Sequence, residues 1–138
     1  MIQRVSHMSI NVLDQNSAYE FYVNKLGFEV NTDTEFGEGQ RWLTVSPKGQ
    51  PELEIALMSA AAGPHLPAEK AEPLRELIKA GTFGVGVFET DDIQRDYTEL
   101  SARGVEFTKP PTEEFYGIEA LVRDDSGNWF SLAERTTK

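Results

Sequence analysis

Residues 7–28, HMSINVLDQNSAYEFYVNKLGF, decide the fold. Alternation puts His7, Ser9 and Asn11 on one face of a strand and Met8, Ile10 and Val12 on the other. Asp14 reads as a helix N-cap, because a short carboxylate can accept from the free N–H groups of a first turn. Ala18, Phe21, Tyr22 and Leu26 follow at helical spacing, and Gly27 supplies the left-handed residue that stops such a helix. A second stretch after residue 83, GVGVFETDDIQRDYTELSARGVEF, repeats the order of strand, acidic turn, helix, glycine and strand. Matching Gly27 to Gly104 gives an offset of 77, and matching Asp14 to Asp92 gives 78, which also pairs Tyr19 with Tyr97. Self-similarity of this kind predicts two related βαβββ modules.

Outward from these stretches, the first strand is expected over residues 2–12 and further strands over 28–34, 41–46 and 52–58, with EFGEGQ and PKGQP as turns. In the last of these, Leu53, Ile55 and Leu57 face one way and Glu52, Glu54, Ala56 and Met58 the other. Residues 59–81 are rich in alanine, proline and charge and read as an exposed connection. A short helix over 68–79 is expected within it, its start limited by Pro73. In the second half, strands are expected at 82–89, 105–109, 118–123 and 128–133. Asp91 or Asp92 caps a helix carrying Ile93, Tyr97 and Leu100, and DDSGN at 124–128 is a turn. The expectation is one α+β domain over residues 1–138, built from modules 1–58 and 82–138 and joined by the linker 59–81.

Composition narrows the chemistry. With 13 Lys plus Arg against 23 Asp plus Glu, the net charge of −10 repels nucleic acid and anionic membrane surfaces and attracts cations. The absence of cysteine excludes a disulfide, a thiolate nucleophile and a thiolate metal site. No long apolar run suggests a membrane span, and the first residues lack the apolar segment of a signal peptide, so a cytoplasmic location is expected. No GxSxG elbow or P-loop occurs, and FGEGQ and GVGV are glycine pairs without the full dinucleotide fingerprint. His65 stands between two prolines in the linker and reads as a solvent-exposed residue.

Four segments, HMSINVLD, AYEFYVNKLGFEV, TDDIQRDYTELSARGVEF and YGIEALVRDDSGNWFSL, together resemble the vicinal oxygen chelate superfamily. That group includes glyoxalases, bleomycin and fosfomycin resistance proteins and extradiol dioxygenases. The resemblance covers nearly the whole chain. It implies two βαβββ modules forming a cupped mixed sheet, a small-molecule site between the modules, and a homodimer. Apolar faces and sheet edges that need cover point to a dimer as well.

Metal-using members resemble one another in taking one ligand from the first strand and one from the last strand of each module. The matching positions here are His7 and Glu54 in the first half, and Val85 (or Gly84) and Ser131 in the second. A catalytic divalent ion wants three or four fixed nitrogen or oxygen ligands. His7 and Glu54 are therefore partial metal candidates, and no cofactor is expected unless groups such as Glu119 or Tyr116 complete a site. Glu134 falls on the opposite strand face from Ser131.

The expected function is binding of a small organic molecule, in the manner of bleomycin resistance proteins. Candidate ligand-binding residues are His7, Ser9 and Asn11 on the first strand, Arg41, Trp42 and Glu54 on later strands, and Tyr116 and Ser131 in the second half. Arg41 and Trp42 point to opposite faces, so at most one lines the site. The alternative is a metal-dependent lyase, isomerase or dioxygenase using His7, Glu54 and further ligands. A third reading makes Glu54 a metal-free general base oriented by His7. A purely structural role for Glu54 would pair it with His7 or with Arg41.

Overall fold

The computed structural model describes residues 1–135 and divides into two compact units, Met1–Arg75 and Glu76–Lys138. In the first unit, β1 (His7–Val12), β2 (Glu29–Phe36), β3 (Gln40–Ser46) and β4 (Glu54–Ser59) form one sheet in the order β1-β4-β3-β2. β1 is parallel to β4, and the other pairs are antiparallel. Between β1 and β2 lies α1 (Gln15–Tyr19), which runs on as a π-helical segment, Glu20–Lys25. Asp14 caps it as expected, accepting from the Ser17 N–H at 2.8 Å. The π segment adds a residue to the helical register, and the adjacent rings of Phe21 and Tyr22 are both buried. Gly27 ends the helix at φ +84°. The core of this unit is Ala18, Phe21 and Tyr22 together with Ile10, Val12, Leu43, Val45, Ile55 and Leu57, all buried.

Two strand expectations need correction. β1 begins at His7, not at residue 2, because its neighbour β4 begins at Glu54, the register partner of His7. β4 starts late because the preceding turn holds on: Gln50 N–H bonds Pro47 O and Leu53 N–H bonds Gln50 O. Near the open end of β1, Met8 is 56% exposed while Ile10 and Val12 are buried.

Next comes α2 (Ala68–Lys79), which begins before Pro73 and runs through it. Ala60, Ala71 and Ile78 are buried, so the connection is not exposed throughout. On the first-unit side Arg75 donates to Leu13 O at 3.0 Å, and on the second-unit side Arg123 donates to Lys79 O at 2.6 Å.

The second unit repeats the topology. β5 (Gly84–Glu89), β6 (Glu106–Glu114), β7 (Gly117–Arg123) and β8 (Trp129–Arg135) stand in the order β5-β8-β7-β6, with α3 (Ile93–Ala102) after β5. Asp92, not Asp91, caps α3 through the Arg95 N–H at 3.0 Å. Its core includes Ile93, Val105, Ala120, Val122, Phe130 and Leu132. β6 extends past residue 109 through Pro110 and Pro111, tolerated because an edge strand can lose a donor and because the register shifts there. The 124–128 turn is built around buried Asp124, whose Oδ1 accepts from the N–H groups of Ser126, Gly127 and Asn128, each at 2.9 Å. Among the described residues no helix is long and apolar enough to cross a membrane.

Candidate functional site

Register decides which side chains meet on the first sheet. His7 lies beside Glu54, Thr44 beside Ala56, Trp42 beside Thr34, and Phe36 beside Gln40. Since side chains alternate, His7, Phe36, Trp42, Thr44 and Glu54 share one face, on which Thr44 is buried and His7 and Phe36 are exposed. Glu54 Oε1 accepts from the Thr44 hydroxyl at 2.8 Å and stands 3.5 Å from His7 Nε2. His7 Nδ1 lies 2.9 Å from Ser6 Oγ. The Trp42 ring is flanked by His7 at 6.3 Å and by Phe36 at 6.5 Å between centroids, the latter nearly edge-on at 82°. The His7 and Glu54 side chains are 46% and 30% exposed. Ser9 and Asn11 continue this face along β1 and are exposed.

Arg41 points the other way, as alternation predicts, and is not a partner of Glu54. Its Nε and Nη2 grip both oxygens of Asp33, at 2.8 and 2.9 Å, and Nη1 donates to Asn16 Oδ1 at 2.8 Å. The hydrogen bond with Arg41 holds the Asp33 carboxyl below its ordinary value, and Asp33 in turn raises the guanidinium. An open groove of about 610 Å³ lies beside this pair, lined by residues that include Asp14, Gln15, Asp33, Glu35, Arg41 and Ser59.

The second sheet carries its own polar cluster. Ser131, which the repeat sets on Glu54, donates to Glu119 Oε2 at 2.6 Å. Tyr116 OH donates to Glu119 Oε1 at 2.7 Å, and Lys109 Nζ reaches the same oxygen at 3.1 Å and Glu114 Oε2 at 2.7 Å. The Ser131 hydroxyl first, then Tyr116 and Lys109, hold the Glu119 carboxyl down at about 2. Bonding to that carboxylate pushes the Tyr116 hydroxyl up, and Glu114 with Glu119 pushes Lys109 up.

A carboxylate bonded to a hydroxyl thus occurs in both sheets, with the strands exchanged. The acid is on β4 and the hydroxyl on β3 in the first, whereas the acid is on β7 and the hydroxyl on β8 in the second. Lys109, Glu114 and Thr44 were not anticipated as members, since nothing in a single strand's pattern says which neighbour it will meet. In the second sheet, after a register shift, Ser131 lies beside Val87 on β5. Glu134 faces away, accepting from the Ile93 N–H at 2.8 Å. His65 is exposed, as expected. Among the described residues no three His, Cys, Asp or Glu side chains cluster suitably to hold a metal ion.

The βαβββ topology repeated in two units defines the class. Residues 4–132 match the model of the Glyoxalase/Bleomycin resistance protein/Dioxygenase superfamily, and the chain belongs to that family. Among solved structures it is similar to UcmS2, at 47% identity over 96% of this chain and 98% of that one, with a TM-score of 0.92. It is also similar to TnmS3, an antibiotic binding protein from Streptomyces sp. CB03234, at 30% identity over 98% of each chain, TM-score 0.75. Bacillus subtilis YurT is 35% identical over 92% of this chain and 95% of its own.

Proposed function

We propose that this protein binds a small organic molecule on its sheet faces without using a metal, and that it does so as a homodimer. One observation carries the reading. The first sheet offers a half-buried Trp42 ring flanked by His7 and Phe36 near one carboxylate, Glu54, rather than a set of converging metal donors. Rings and a single polar anchor suit recognition of a small molecule. The likeness to an antibiotic binding protein over nearly the full chain supports it. On this reading Ser9, Asn11, Tyr116 and Ser131 contribute polar contacts, and Arg41 only braces the helix against the sheet.

The second reading, a metal-dependent lyase, isomerase or dioxygenase, draws on the 3.5 Å approach of His7 Nε2 to Glu54 Oε1. Purified protein treated with EDTA separates the two in a thermal-shift screen against a panel of small aromatic and aliphatic compounds. Retained stabilisation by some compound, with metal content well under one equivalent before treatment, is the expected result. Binding that appears only when zinc, iron, manganese or nickel is restored, and is lost in His7→Ala, would overturn it.

A further inference from the structure

We infer that the groove beside the Arg41–Asp33 pair is a second binding site, which takes a hydroxylated ammonium ligand of the amino-sugar class. It lies apart from the Trp42 ring and does not rest on the reading above. Arg41, Leu43 and Val45 alternate onto the face of the first sheet that carries the buried core, and Asp33 and Glu35 stand opposite Leu43 and Arg41 in register. His7, Trp42 and Glu54 occupy the other face. Gln15 shapes the groove: its Nε2 donates to Arg41 O at 3.2 Å and to Leu57 O at 2.8 Å, tying the start of α1 across β3 and β4. The resulting space of about 610 Å³ is ordinary for a small-molecule site.

The polar lining is only partly used. Among the described residues the Glu35 carboxylate has no partner, and Asp14 spends one oxygen, Oδ2, on capping α1. Asn16 is engaged through Oδ1 alone, which leaves its amide N–H groups, and Ser59 accepts from the Ala61 N–H and keeps its own proton to donate. Gln15 has Oε1 left as an acceptor. Donors and acceptors therefore stand side by side, a pattern that hydroxyls satisfy because each of them both donates and accepts. An apolar ligand would leave these groups desolvated and unpaired.

Pairing sets the charge. Both oxygens of Asp33, at 2.8 and 2.9 Å, neutralise Arg41, so Asp14 and Glu35 give the groove its sign. An anionic sugar would meet two carboxylates with no free cation beside them, whereas an ammonium group gains them. Among the described residues no aromatic ring lines the groove, so a flat ring system has nothing to stack on.

A heteronuclear NMR titration of the full chain tests this with four probes at mildly acidic pH: glucosamine (ammonium and hydroxyls), glucose (hydroxyls alone), glucuronate (hydroxyls with a carboxylate) and cyclohexylammonium (ammonium on a bare ring). Glucosamine is expected to shift the amide signals of Gln15, Asn16 and Glu35 while leaving those of His7 and Trp42 in place. It should bind about 5-fold or more tighter than each of the other three. Glu35→Gln should bring glucosamine to within about 2-fold of glucose, and Ser59→Ala should weaken both sugars, with unchanged signals elsewhere showing that each variant is folded. Glucose or glucuronate binding as tightly as glucosamine overturns the charge assignment, and cyclohexylammonium doing so overturns the hydroxyl one. Shifts confined to the His7 and Trp42 signals, or no shifts with any probe, overturn the site, while a ligand found by the thermal-shift screen would leave the reading of the Trp42 face standing.

Discussion

Glu119 shows how much one side chain's surroundings matter. Three donors from three positions hold its carboxyl near 2, against an ordinary value of 4.5. A depressed folded-state value stabilises the fold above the unfolded value and loses that stabilisation as pH falls through the folded one. The window for Glu119 is therefore from about 4.5 down to about 2. Asp33, lowered by Arg41, acts with the same sign. Glu119→Gln is expected to cost about 1–3 kcal/mol at neutral pH and to flatten the acid limb of a stability profile measured by urea unfolding. Parallel acid limbs for variant and parent would count against it. The sequence suggested that Glu119 and Tyr116 approach a site, but not that Ser131 would bond Glu119. That contact depends on cross-strand register.

At the scale of elements, glycines sit where the chain must do what other residues resist. The β6–β7 hairpin turns on Phe115 and Tyr116, between the paired Glu114 and Gly117. Neither aromatic has a positive φ, and Gly117 takes +143° instead. A Cβ at Gly117 would stand 2.3 Å from the Glu134 carbonyl oxygen, so strain and a backbone clash coincide. Gly37, at φ +60°, has nothing within 4 Å of such a Cβ. Gly117→Ala should therefore cost about 2–4 kcal/mol and Gly37→Ala only about 1 kcal/mol, as thermal denaturation would read. Equal losses would mean that the clash contributes nothing. The glycines and turns were legible from residue type. The extent of α2 was legible too: its bounds, Ala68–Lys79, match the expected 68–79, although it runs through Pro73 instead of being limited by it, and the π-helical segment was not foreseen.

Across the whole molecule, the two sheets treat their edges unequally. The outer strand β2 carries Glu29, Asp33 and Glu35, and β6 carries Lys109, two prolines and several glutamates. Charges and prolines discourage a further strand from adding. The opposite outer strands are bare by comparison: β1 reads HMSINV, and β5 reads GVGVFE with one terminal glutamate. Met8 and Val87 on them are 56% and 58% exposed. Light scattering at micromolar concentration is expected to give the mass of a dimer, and Met8→Lys with Val87→Lys to shift it toward monomer. A monomer mass for the unmodified chain would end this proposal.

The amino-acid sequence by itself determined the repeat, the α+β class, the family and the polar face of β1. These depend on local periodicity, caps and glycines, which act over a few residues. It also separated Arg41 from Trp42, because adjacent residues in a strand must face opposite ways. Only the tertiary structure decided that Glu54 bonds Thr44, that Arg41 belongs to Asp33, that Ser131 lies beside Val87, and that Glu119 carries the second sheet's carboxylate. Each of these is a contact between strands, and strand register is fixed by bulges, turn lengths and core packing together, none of which any single stretch of sequence contains.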